Sequence, residues 1–174
     1  MRTAAFTVLA CTTAIASVCT AQTAPINPQA DAILAAALQE CVTEVQGSDP
    51  QAPVPVLEIE PGAVTWVALS DLDEKDDVIL DFNHILCSQD YALWHGTGGS
   101  IIHAVVDGER SASWSGGIWR VDEFYGSPLL LIGRHGTACD GYGAQPCVQA
   151  ISVYEGGFST VRLPQSNEED AGDD

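Results

Sequence analysis

The chain has 174 residues and sets 24 acidic side chains against six basic ones, for a net charge of −18. Such an imbalance repels phosphate backbones and anionic headgroups, which argues against nucleic acid and membrane surfaces as partners and favours cationic ones or divalent metals. The length suits one domain with its own core, and no stretch beyond residue 21 is apolar for long enough to span a bilayer.

Residues 1–21 read as an export signal: Arg2 supplies the positive start, Thr3 to Ala21 carry no charge, and small residues lead to a cleavage position near Ala21. The run is rich in Ala and Thr, which makes it a poor anchor, so no stable membrane insertion is expected after cleavage. Cys11 and Cys19 read as ordinary signal residues rather than lipid-attachment sites. The mature protein is therefore expected in the periplasm or secreted, an oxidising setting for its remaining cysteines.

Residues 22–28 are expected to be a linker, with Asn27-Pro28 marking the start of a helix. From Ala30 to Val45, Ile33, Leu34, Ala37, Leu38, Cys41, Val42 and Val45 fall at helical spacing, with Asp31, Gln39, Glu40 and Glu44 opposite. Beyond Gly47 the pattern turns to strands. Val54–Glu58 and Val64–Ser70 flank Pro61-Gly62 and predict a hairpin. Val78–Leu86 and Ile101–Val106 read as strands, the second stopped by Asp107-Gly108. Ser113–Val121 predicts a bent or bulged strand around Gly116-Gly117. Leu129–Ile132 is fully apolar, as at a sheet centre, and Val148–Tyr154 with Phe158–Leu163 predicts a last hairpin. Residues 165–174 form an acidic tail with nothing apolar to pack, which predicts disorder. The expected architecture is α+β: one N-terminal helix packed on a mostly antiparallel sheet of about seven or eight strands, in a single disulfide-stabilised domain over 29–164.

Cys139 and Cys147 bracket a Gly- and Pro-containing loop that can close on itself, which would leave Cys41 to join Cys87. Four cysteines allow three pairings, and spacing alone leaves them open. A zinc site would want CxxC-type pairs, and the chain has none.

Two segments could carry chemistry. Asp71, Asp73, Asp77 and Asp81 lie in an acidic run that could supply calcium with carboxylates, although Lys75 takes a ligand position and the turn glycine is missing. A solvated acidic turn before a strand accounts for the same residues. His95-Gly-Thr-Gly-Gly-Ser100 could serve a hydrolase, with Ser100 as nucleophile, His95 or His103 as base, and Asp81 or Asp107 orienting that base. No GxSxG elbow surrounds Ser100, no Walker lysine follows the glycines, and a glycine turn feeding the strand at Ile101 explains the segment as well. His84, His95, His103 and His135 have no metal-type spacing, and His84 and His103 read as strand residues. Trp94, Trp114 and Trp119 could line a binding face or pack in the core.

In three places the chain resembles a family of exported proteins of unknown activity, mainly alphaproteobacterial. Their outline is an acidic DLNGDG-like loop, a CGTGGC loop and a C-terminal HGxxCG…C pattern. The last part matches as His135-Gly-Thr-Ala-Cys139-Asp-Gly to Pro146-Cys147, and the middle as His95-Gly-Thr-Gly-Gly-Ser100 with both loop cysteines replaced. The acidic loop is shortened and lacks its glycines. The resemblance runs from about Asp71 to Phe158 and implies a shared fold and export. The leading expectation is thus a non-enzymatic, monomeric, exported domain that binds a protein or small ligand without a cofactor. A calcium-binding module through Asp71–Asp81 and a hydrolase using His95 and Ser100 are the alternatives.

Overall fold

The computed structural model describes residues 25–71, 75–143, 145, 147–154 and 157–161. The expected signal peptide, the first three residues of the expected linker, Asp73 and the acidic tail lie outside them. Among the described residues one helix and ten strands form an α+β fold in antiparallel sheets. The strands make three sheets, not the single sheet of seven or eight expected.

The helix, α1, runs Pro28–Ser48 and so starts inside the predicted linker. Asn27 caps it, its side chain accepting from the Ala30 N–H at 2.8 Å, and Pro28 costs nothing where the amide has no helical partner. Its fully buried stripe is narrow: Ala30, Ala37, Cys41 and Val45. Leu38, expected inside, is exposed. Two alanines let the helix lie close to the sheet, and that closeness narrows the covered stripe.

The chain then makes a long antiparallel ribbon. Strand β1 (Leu57–Ile59) pairs with β4 (Ile85–Cys87), and β2 (Val64–Val67) pairs with β3 (Asp77–Asp81). The predicted hairpin of Val54–Glu58 with Val64–Ser70 does not form. Pro61-Gly62 is a bend, because the facing strand bends at the same level through a 3₁₀ turn, Phe82–His84. Hydrogen bonds from Glu60 N–H to His84 O (3.0 Å) and from Asp81 N–H to Ala63 O (2.8 Å) carry the ribbon past the bend. That turn also splits the predicted Val78–Leu86 strand in two.

Strands β5 (Ser100–Val106) and β6 (Arg110–Gly116) complete a sheet of order β2-β3-β5-β6. At Gly117 the chain changes sheets. Strands β7 (Ile118–Phe124), β8 (Ser127–Arg134), β9 (Cys147–Tyr154) and β10 (Gly157–Val161) form a meander of order β10-β9-β8-β7. The bend read from Gly116-Gly117 is thus the corner between two sheets. Only glycine fits at its start, since a Cβ on Gly116 would lie 2.4 Å from Ile132 Cγ2.

Two apolar layers result. Val67, Ile79, Ile102, Ala104, Val106, Leu130, Ile132 and Ile151 fill the space between the two four-stranded sheets. Ala30, Ala37, Val78, Leu80, Phe82, Ile85 and Val105 fill the space between helix and first sheet. Strand β3 lies between both layers and is buried at every residue. Disulfides join Cys41 to Cys87 and Cys139 to Cys147, with Cα atoms 5.7 and 5.9 Å apart. The first bridge ties helix to ribbon beside Val45, and the second closes the loop before β9.

Candidate functional site

Strand alternation decides what each sheet face presents. In the first sheet the second sheet covers one face and α1 covers the middle of the other. In the second sheet Trp119, Val121, Leu130, Ile132 and Ile151 point into the core, so their neighbours point outward. Register places Ile118 opposite Gly133 and Gly133 opposite Val148. One step along, Arg120 faces Leu131 and Leu131 faces Ala150. Ile118 is 74% exposed and Val148 67%, with Phe124 and Tyr154 exposed at the same face's ends. Ile118 and Val148 border a shallow hollow of about 240 Å³, lined also by Trp119, Arg120, Leu131 and Gly133. The hollow exists because Gly133 has no side chain and Ile118 folds over it. Its charged contribution is one ion pair, Arg120 to Asp122 at 3.0 Å.

An uncovered antiparallel face is ordinarily polar, and the outermost strand of the first sheet, β6, follows the rule, although Trp66 on β2 and Ile101 on β5 are partly exposed. On β6, where one edge of the first sheet meets solvent, the exposed alternate positions are Ser111, Ser113 and Ser115. On β7, only a corner away, the first outward residue is Ile118. The sequence signal was present in Leu129–Ile132, which reads as a strand buried on both faces although only one face is covered.

The acidic residues do other work. Asp77 is fully buried and accepts four hydrogen bonds: Leu69 N–H (2.7 Å), Ser70 N–H (2.7 Å), Ser70 Oγ–H (2.9 Å) and Asp107 N–H (3.1 Å). It closes the base of the acidic loop between β2 and β3. Asp81, at the other end of β3, accepts from Asn83 N–H (2.9 Å) and Nδ2–H (2.7 Å) and, across the core, from Trp119 Nε1–H at 2.9 Å. Asn83 in turn accepts from Ser100 N–H and donates to Gly116 O, tying three strands together. The proposed calcium carboxylates Asp77 and Asp81 therefore stand at opposite ends of one strand, each saturated by protein donors. Asp71 is exposed in the loop, and Asp73 lies outside the described residues. No group of three or more metal-ligating side chains converges among the described residues.

His95 and Ser100 flank a tight turn closed by reciprocal Gly96 and Gly99 hydrogen bonds of 3.1 Å each. Gly99 holds φ +92°, and a Cβ there would meet Gly116 O at 2.3 Å. The turn brings the two candidate residues to either side of itself without joining them. His95 Nε2 and Ser100 Oγ are both buried, and neither has a hydrogen-bond partner. A nucleophile needs its base within hydrogen-bond reach, and here the contact is not made. The other proposed orienters are engaged elsewhere, Asp81 with Asn83 and Trp119, and Asp107 with Arg110.

The histidines and tryptophans are dispersed. His84 belongs to the 3₁₀ turn rather than a strand and lies 3.7 Å from Glu60. His103 is in β5 with its ring against Phe82, and burial holds its pKa below the usual 6.5. The His135 Nδ1 atom meets Thr137 Oγ1 at 2.8 Å. Trp94 packs on the helix side, edge-on to Phe82, its Nε1–H donating to Glu40. Trp114 and Trp119 border the intersheet core, so the three indoles do not make one binding face.

No known protein family, curated protein or solved structure matches the chain. Among the described residues no helix is long and apolar enough to cross a membrane.

Proposed function

We propose that the protein is an exported, disulfide-stabilised binding domain that acts by surface recognition rather than bond chemistry. Its working surface is the outer face of the β7–β10 sheet. The observation that carries this is that Ile118, Tyr154, Val148 and Phe124, the four most exposed large apolar side chains among the described strand residues, all lie on that one face. Burying an exposed isoleucine or valine contributes about 1.5–3 kcal/mol each. A partner laid there gains what water denies. Export is supported by the signal-like residues 1–21 and by two closed disulfides, which persist in oxidising compartments. The resemblance to exported alphaproteobacterial proteins points the same way. Neither alternative gains support: the Ser100–His95 contact is unmade, and Asp77 and Asp81 are occupied.

The test is capture from periplasmic extract by the mature protein, with identification and purification of what is captured. The purified partner should bind the Ile118→Ser/Val148→Ser double variant at least tenfold more weakly and bind Ser113→Ala normally. Equal binding to all three proteins would sink the assignment of this face.

A further inference from the structure

We propose that the free edge of β7 is a self-association site. The same strand of a second copy pairs there antiparallel and extends the β7–β10 sheet across a two-fold axis. The edge is open whatever the outer face binds, so this goes beyond the role proposed for that face.

The two four-stranded sheets leave one side of β2, β6, β7 and β10 without a strand. Such a side presents a row of backbone donors and acceptors that another strand satisfies, unless it is short, covered or blocked by proline. Strand β2 has four residues and β10 five. Strand β6 has seven, but its Ser115 and Gly116 carbonyls are taken by Arg134 Nε–H (2.9 Å) and Asn83 Nδ2–H (3.0 Å). Strand β7 also has seven and contains neither proline nor glycine. Among the described residues, the only side chain bonded to its free edge is its own Asp122, whose Oδ1 accepts from the Glu123 N–H at 3.1 Å.

The turn at Tyr125-Gly126 fixes which groups point outward. Its φ values of +51° and +74° close a two-residue hairpin between Phe124 and Ser127. Bonding then alternates along the strand: Phe124, Asp122, Arg120 and Ile118 bond to β8, while the N–H and C=O of Glu123, Val121 and Trp119 face away from it.

The side chains select one register. An isologous pair is centred on one residue of β7. Centred on Arg120 it sets arginine against arginine, and centred on Asp122 it sets carboxylate against carboxylate, both repulsive. Centred on Val121 it places Arg120 opposite Asp122 of the second copy and Ile118 opposite Phe124 of the second copy, each on both sides of the axis. These are the non-hydrogen-bonded positions, where opposing side chains come closest. Val121 bonds its own counterpart and Trp119 bonds Glu123 of the second copy, so the outward groups are satisfied. Arg120 and Asp122 are exposed and already paired at 3.0 Å within one copy, so association joins two ion pairs into an alternating square of charge. It also lays the Ile118 of each outer face beside the Phe124 of the other, making the two faces one surface. The net charge of −18 on each copy opposes the approach, but at about 0.15 M salt that field decays within about 8 Å. An edge about 24 Å long makes a contact at the small end of specific interfaces, which places the dissociation constant in the micromolar range.

Sedimentation of the full mature chain from about 5 to about 500 µM, with amide exchange at both ends of that range, is the test. A monomer–dimer equilibrium is expected, with the Trp119, Val121 and Glu123 amides gaining protection at the higher concentration. Arg120→Asp and Asp122→Arg should each weaken the dimer about tenfold or more, and the double exchange Arg120→Asp/Asp122→Arg should restore it to within about threefold. Net charge alone predicts otherwise, since Asp122→Arg makes each copy less negative and would tighten association. Both side chains are exposed, so the variants keep the fold. Val148→Ser, two strands inside the edge, should leave the dimer intact, which separates failure of the face from failure of the edge. A monomer throughout the range would overturn the proposal. So would a dimer tightened by Asp122→Arg, or one that the double exchange does not restore. Protection of these amides only on adding periplasmic extract would put a foreign strand on the edge and overturn the assignment to a second copy.

Discussion

Replacing Asp77 with alanine removes a carboxylate that takes four hydrogen bonds in a fully buried position. Two consequences add. Leu69, itself in the intersheet core, keeps a buried N–H with no acceptor, and the Asp107 N–H at the β5–β6 turn loses its acceptor too. Hydrogen bonds to a charged group contribute about 1.5–3 kcal/mol net, and each stranded buried donor costs about 1–3 kcal/mol. The four share one group and do not sum, so we expect a loss of about 4 kcal/mol, a large part of a domain's usual stability of about 5–15 kcal/mol. For a chain of this size that lowers Tm by roughly 15 °C. Asp77→Asn keeps one acceptor but turns an NH₂ toward donors, with an expected loss of about 2–3 kcal/mol. Urea unfolding of the oxidised protein, followed by tryptophan fluorescence, measures both. Amide exchange should show Leu69, Ser70 and Asp107 losing protection together, because one carboxylate holds two loops. A cost under about 1 kcal/mol for the alanine variant, or unchanged protection at Asp107, would refute the clamp. With both oxygens engaged, millimolar calcium against chelator should leave the Tm where it is.

Three further outcomes are expected. His103 is held below 6.5 by burial, so the folded state resists its protonation; this contribution is complete above pH 6.5 and is lost as pH falls toward the lower folded value. Unfolding midpoints between pH 7.5 and 5.5 should therefore decline in wild type and flatten in His103→Gln, and parallel slopes would remove this account. Ser100→Ala deletes a buried hydroxyl without a partner, so stability should hold or rise within about 1 kcal/mol; a fall beyond about 2 kcal/mol would show that Oγ is hydrogen-bonded in solution. Removing the Cys41–Cys87 bridge by double alanine substitution releases a closure 46 residues apart and should cost about 4 kcal/mol, against about 2.5 for Cys139–Cys147. The reverse order under denaturant would falsify the loop-entropy ranking.

Much of the fold was legible residue by residue. Asn27-Pro28 announces a helix because a capped N-terminus is a local event, and the 3.6-residue spacing puts Cys41 on its buried side. The closing hairpin was legible for the same reason, whereas Gly116-Gly117 announced only a bend within one strand, and the structure ends β6 there and starts β7 in a second sheet. Pro61-Gly62 was not, because a bend and a reversal use the same residues, and only the Phe82–His84 turn on the facing strand distinguishes them. Asp77 and Asp81 carry the same side chain as the exposed Asp71. Their burial depends on donors from Leu69, Asp107 and Trp119, which sequence places 8, 30 and 38 residues away.

The candidate site divides along the same line. Leucine and isoleucine at 129–132 require a strand, and alternation requires half of them to point one way. Which half is covered depends on where a helix 21 residues long comes to rest. It covers the first sheet and leaves the second open. By itself the sequence determined periodicity, caps, cysteine content and charge, since these are properties of neighbours along the chain. Strand partners, the burial of two aspartates and the exposure of Ile118 and Val148 were decided only by the tertiary structure, because each depends on residues that meet across the fold.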